Sequence, residues 1–109
     1  MIVVAESIEL EEGWVDEDGV REAISAMEQA SRTECGCHAY ATSIDVSDPA
    51  VMRIYEVWES IEALQAHCRE PHMAALQASL GHLQPKAMDA KVYEIGREVE
   101  FAAITGGSE

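Results

Sequence analysis

Between Cys37 and Trp58 the chain alternates in a way that predicts a β-hairpin. Cys37 to Asp45 places His38, Tyr40, Thr42 and Ile44 on one side of an extended run. Val51 to Trp58 does the same with Met52, Ile54, Glu56 and Trp58. The join, Asp45-Val-Ser-Asp-Pro49, is turn chemistry. The second run is apolar on its other side too, through Val51, Tyr55 and Val57 around Arg53, which predicts a sheet covered on both faces.

The flanking segments supply the remaining elements. Ile2 to Glu9 is β-branched and apolar and reads as a first strand. Glu11 to Gly19 reads as a solvated acidic loop around Trp14, with Asp16 to Asp18 as helix starters. Val20, Ala23, Ile24, Met27 and Ala30 recur at helical spacing, predicting a helix from about residue 17 to 33 that Gly36 breaks. A second helix opens at Ser60 with Glu62 in its first turn, where the helix dipole favours a negative charge. Ile61, Leu64 and Cys68 share a face of it. Pro71 has no N–H and must bend or restart it; Met73, Leu76, Leu80 and Leu83 carry it on to Pro85. Ala90 to Val99 reads as the last strand, residues 100–109 as an extended tail, and Thr105 to Glu109 as frayed. The order βαββαβ is the split βαβ, ferredoxin-like α+β pattern: one domain over residues 1–109, an antiparallel sheet with helices on one face. The chain holds no spare element for the other face, so a second copy is the expected cover.

The bulk numbers bound the class. Seven basic against twenty-one acidic residues give a net charge of −14, which argues against nucleic acid and anionic membrane partners. No apolar run approaches the roughly 20 residues that span a bilayer. The start, MIVVAESIEL, lacks the basic region of a signal peptide. Three cysteines, Cys35, Cys37 and Cys68, are an odd set that fits a reducing, cytoplasmic setting.

The segments ECGCHAYA, EVWESIEALQAH and REPHMAAL, with the joint spacing of Gly36-Cys37, Tyr40, Glu56, Trp58, His67 and Pro71-His72, resemble the antibiotic biosynthesis monooxygenase family, and most closely its quinol monooxygenase branch. The resemblance implies a dimeric α+β barrel that binds small aromatic or carbonyl compounds between sheet and helices. It also implies oxygenase chemistry without metal, flavin or haem, with molecular oxygen as co-substrate. Haem-degrading relatives use an Asn on the first strand with a Trp and a His on the second helix. Here Ser7, His67 and Gln77 stand at those positions, so haem chemistry is not expected. Relatives that isomerise phosphorylated sugars need cations, of which the chain offers only Arg53, Arg69, Lys86, Lys91 and Arg97 nearby.

Oxygen in its triplet state reacts poorly with closed-shell organic molecules, so a cofactor-free oxygenase must turn its substrate into a reductant. That calls for a base, a donor for the developing oxyanion and a dry slot. His72, beside the helix interruption at Pro71, is the first candidate for the base, and His67 for a shared base or donor role. The bland alternatives are a histidine that braces the broken helix and a half-buried helix histidine bonded to a carbonyl. Tyr40 and Trp58 would wall the slot, unless they are ordinary core aromatics. Glu56 shares the face of Trp58; it would orient a histidine or accept a proton, or else pair with Arg53 or Arg97 across a dimer. Cys35, Cys37 and His38 lack a second pair at zinc spacing, so no metal is expected, and nothing places a base beside a cysteine. A cofactor-free monooxygenase acting on a small quinol or phenol is the leading expectation. A non-catalytic dimeric binding module and an isomerase or lyase using the same histidines are the competing ones.

Overall fold

The computed structural model describes residues 1–106. Its sheet is built from β1 (Ile2–Glu9), β2 (Cys37–Ile44), β3 (Val51–Trp58) and β4 (Ala87–Glu94), all antiparallel, in the order β2-β3-β1-β4. Helices α1 (Val20–Arg32), α2 (Ile61–His67) and α3 (Pro71–Leu80) join them, and a short α4 (Phe101–Thr105) follows. This is the ferredoxin-like α+β arrangement expected from the sequence, with helices on one face of the sheet.

Local chemistry explains the junctions. Asp45 Oδ1 accepts the N–H groups of Ser47 and Asp48, which closes the hairpin turn, and Arg53 donates to its Oδ2. Ser60 Oγ accepts from the N–H of Ala63 and caps α2. Pro71 occupies the first turn of α3, where its missing N–H costs nothing, so the helix restarts rather than bends. Gly36 has φ +87°, and a Cβ there would stand 2.7 Å from the Cβ of Ala63; only glycine lets the chain pass under α2. At the outer margin of β2, Arg32 Nε donates to the Tyr40 carbonyl (2.9 Å) and the Thr42 N–H donates to Glu28 Oε2 (2.7 Å). Side chains of α1 thus satisfy backbone groups that an edge strand usually leaves open.

The core lies between sheet and helices in two clusters. One joins Ile2, Val4, Met27, Tyr40 and Trp58 to Leu64, Met73 and Leu76. The other joins Ile8, Leu10, Trp14, Val20 and Met52 to Leu80 and Leu83. Trp14 corrects the expectation of a merely solvated acidic loop: it is fully buried in a single 3-10 turn and donates its indole N–H to the Pro49 carbonyl at 3.0 Å.

Four further expectations change. The last strand is Ala87–Glu94, not 90–99, because β1 pairs only with that stretch; beyond the Ile95 N–H to the Met1 carbonyl the alternation runs on without a partner strand. Phe101–Thr105 forms α4 where an extended tail was expected, and the fraying expected to continue through Gly107–Glu109 lies outside the described residues. A bulge at Cys37/Ala39 removes His38 from the Tyr40 face; it bonds Glu59 at the surface instead. In α2, Cys68 and Ile61 are exposed, and Ala63, Leu64 and His67 face inward. The second face of the sheet is bare in the single chain, with Tyr55 52% and Tyr93 50% exposed.

Candidate active site

The helix-side face of the sheet and α3 line a cavity of about 540 Å³ that is open to solvent on one side. The sheet contributes Glu6, Tyr40, Ile54 and Glu56 to its wall, and α3 contributes Leu76 and Leu80, so the surface is mostly apolar with a few converging polar groups. The register sets this up. Val4 pairs with Glu56 and Ile54 with Glu6, so all four point to one side.

Glu56 is the most perturbed group in the wall. It is 5% exposed, and Trp58 donates its indole N–H to Oε1 at 2.8 Å. Burial pushes its carboxyl up to about 7; the Trp58 bond works in the opposite direction, and the neighbouring carboxyl of Glu6 adds to the rise. Tyr40 is also buried, and its phenol is pushed above its ordinary value by burial first and the charge of Glu56 second. It therefore stays a neutral phenol that can donate a hydrogen bond into the cavity. The cation pairing envisaged for Glu56 does not form within the chain. Arg53 lies on the opposite face and is bound to Asp45.

The histidines form a separate cluster. Glu34, just past α1, places Oε2 2.7 Å from Nδ1 of His67 and 2.5 Å from Nε2 of His72. A carboxylate oxygen only accepts, so both imidazoles present N–H to it. The ring of His67, 1% exposed, packs against Trp58 with centroids 4.6 Å apart and against Tyr40 at 5.5 Å. Its Nε2 is buried without a hydrogen-bond partner among the described residues. His72 faces a small hollow beside Ala23 and Met27 of α1 rather than the main cavity.

Of the residues singled out from sequence, Tyr40 and Glu56 line the cavity. Trp58 stands outside its lining but holds Glu56, while His67 and His72 are tied to Glu34. The structure adds Glu6 and Glu34. Glu6 was visible as the one charged residue in the stripe Ile2, Val4, Glu6, Ile8. Glu34 follows no periodicity and had no such signal. Ser7, aligned with a haem-handling position of relatives, points to the opposite face from the cavity, paired across from Arg53.

The donor atoms of Glu34, His67 and His72 lie within 4.8 Å of one another; these three are the described residues that could together hold a metal ion. The Cys35, Cys37 and His38 grouping does not assemble. Cys35 is exposed, His38 is bound to Glu59, and burial, then the charges of Glu34 and Glu56, push the Cys37 thiol up and away from nucleophilic character.

The chain is a ferredoxin-like α+β domain with a mostly apolar hollow between sheet and helices. The chain belongs to the antibiotic biosynthesis monooxygenase family, whose model matches residues 1–79. A proposed antibiotic biosynthesis monooxygenase from Deinococcus radiodurans is 25% identical and superposes with a TM-score of 0.80 over 93% of this chain and 98% of that one. A conserved protein of unknown function from Bacteroides thetaiotaomicron, described as a possible oxidoreductase, is 26% identical, with a TM-score of 0.72 over 86% of this chain and 96% of that one. A protein from Nitrosomonas europaea, 16% identical with a TM-score of 0.76 over 86% of this chain and 97% of that one, shares the fold. No curated protein matches the chain. No helix among the described residues is long and apolar enough to cross a membrane.

Proposed function

We propose that the protein is a cofactor-independent monooxygenase that binds a neutral quinol or polycyclic phenol in the 540 Å³ cavity and oxidises it with molecular oxygen. The supporting observation is the cavity wall: apolar surface, two carboxyl groups and a phenol, with no Lys, Arg or His among the described residues that line it. Such a wall repels phosphates and carboxylates and suits a flat neutral molecule with an acidic hydroxyl. It also weighs against phosphosugar isomerisation, since Lys86 and Lys91 are engaged with Glu11 and Asp89 and Arg53 with Asp45.

We place the base role on Glu56 rather than on His72, which faces a different hollow. Glu56 faces the cavity and titrates near neutral pH, where a general base works best. Trp58 fixes its rotamer, and Tyr40 is placed to donate to the phenolate oxygen. The bare sheet face, with Tyr55 and Tyr93, we assign to a second copy of the chain. Oxygen uptake with a panel of hydroquinones, naphthols and anthrones tests the reading. Uptake should persist with chelator present and fall by about 10²–10⁴-fold in Glu56→Gln. A panel without any uptake refutes it.

A further inference from the structure

The apolar stripe of β1 carries one anomaly. Ile2, Val4 and Ile8 are buried, yet Glu6 stands between them on the same side and opens into the cavity. A carboxyl placed in such a wall costs stability unless it is partnered. Its partner is another acid. Glu6 and Glu56 are diagonal neighbours on hydrogen-bonded strands, within reach of long side chains, and both open into the same cavity. Two negative charges side by side in an apolar wall repel, and one proton placed between the two carboxyls relieves that repulsion.

The surroundings keep that proton in place. From β2 the pair is faced by the neutral phenol of Tyr40, and from α3 by Met73, Leu76, Gln77 and Leu80, none of which ionises. β4 contributes Met88. Glu34 adds a further negative charge from outside the cavity, and the indole N–H of Trp58 is the donor bound to Glu56. No cation among the described lining residues offsets a second negative charge.

We propose that Glu6 and Glu56 form one catalytic acid–base pair that alternates between no proton and one shared proton, an inference that rests on the cavity being the substrate slot. For a phenol of the anthrone type the protons balance. The ionised pair takes the phenolic proton and shares it. The phenolate gives one electron to oxygen, and the two radicals couple at the ring carbon opposite the oxygen to form a C–O bond. The pair returns a proton to the peroxide anion. It then removes the C–H proton from the carbon bearing the peroxide, the O–O bond breaks, and the departing hydroxide takes that proton from the pair as water. One oxygen atom ends on carbon, the other in water, the substrate loses two hydrogens, and the pair is ionised again. A lone carboxylate is the weaker base, because each negative charge of the pair raises the proton affinity of the other.

Infrared difference spectra of the full chain across pH test the shared proton without substrate. The wild type should show one protonated-carboxyl band at neutral pH that Glu56→Gln removes. In Glu6→Gln the band should titrate lower by about a unit or more, because the neighbouring negative charge is gone. With an oxidised phenol, Glu6→Gln should lower kcat by about 10²-fold or more, with a smaller change in KM and a displaced acid limb of the pH profile. Absence of the band, or turnover and pH profile indifferent to Glu6→Gln, overturns the pair. A wild type that holds the shared proton but oxidises no phenol overturns instead the function proposed for the cavity.

Discussion

Replacing Glu56 with glutamine should remove a pH dependence of stability that the wild type carries. The native carboxyl holds its proton up to about pH 7, chiefly because it is buried, whereas an exposed carboxyl lets go near 4.5. Between these values the folded chain binds more protons than the unfolded chain, so stability falls as pH rises. The contribution is fully present below about pH 4.5, is lost progressively up to about pH 7, and stays lost above that. At about 1.4 kcal/mol per pH unit the whole effect is at most about 3 to 4 kcal/mol. Sharing the proton with Glu6 reduces Glu56's own part to about 1–3 kcal/mol. Glutamine keeps the shape and still accepts from Trp58 Nε1, but it carries no charge to desolvate. Urea denaturation at pH 5 and pH 8 should therefore find the variant close to wild type at pH 5 and more stable by about 1–3 kcal/mol at pH 8. A variant that is equally destabilised at both, or a wild type that gains stability relative to it with rising pH, refutes the argument.

Trp58→Phe deletes the bond that holds the Glu56 carboxyl down, so the protonated-carboxyl band should persist to higher pH than in the wild type. Glu34→Ala strips both histidines of their shared acceptor and should cost about 3 kcal/mol in urea denaturation at pH 7; an unchanged midpoint would show that the cluster contributes nothing. Gly36→Ala forces a left-handed backbone on a side chain that meets Ala63, and a loss of about 2 kcal/mol or more is expected by thermal or chemical unfolding. Tyr55→Asp places a charge on the bare sheet face and should shift the mass measured by sedimentation toward the single chain, while an unaltered mass would remove that face from the assembly.

Much of the fold was written in local alternation. Ile2–Glu9 and Val51–Trp58 begin and end where their apolar patterns do. The last strand was misplaced because alternation marks what can extend, whereas a strand needs a partner, and β1 ends opposite Glu94. The bulge that turns His38 outward inserts one residue into an otherwise regular period, and nothing local announces it. The site divides along the same line. Tyr40 and Glu56 were legible because strand periodicity fixes their face. His72 was not, because its direction depends on how α3 restarts at Pro71 and which side then meets α1. Glu34 gains its role only where three separate segments converge, a fact of tertiary structure alone.

The sealing of β2 by Arg32 and Glu28 also decides how the sheet can grow. An incoming extended peptide finds the Tyr40 carbonyl and the Thr42 N–H already taken, so strand addition at that stretch is disfavoured and the Thr42 amide should exchange slowly with deuterium despite its peripheral place. Any lengthening of the sheet by strand addition is left to the opposite border, along β4, where Ala87–Glu94 is solvent-accessible throughout.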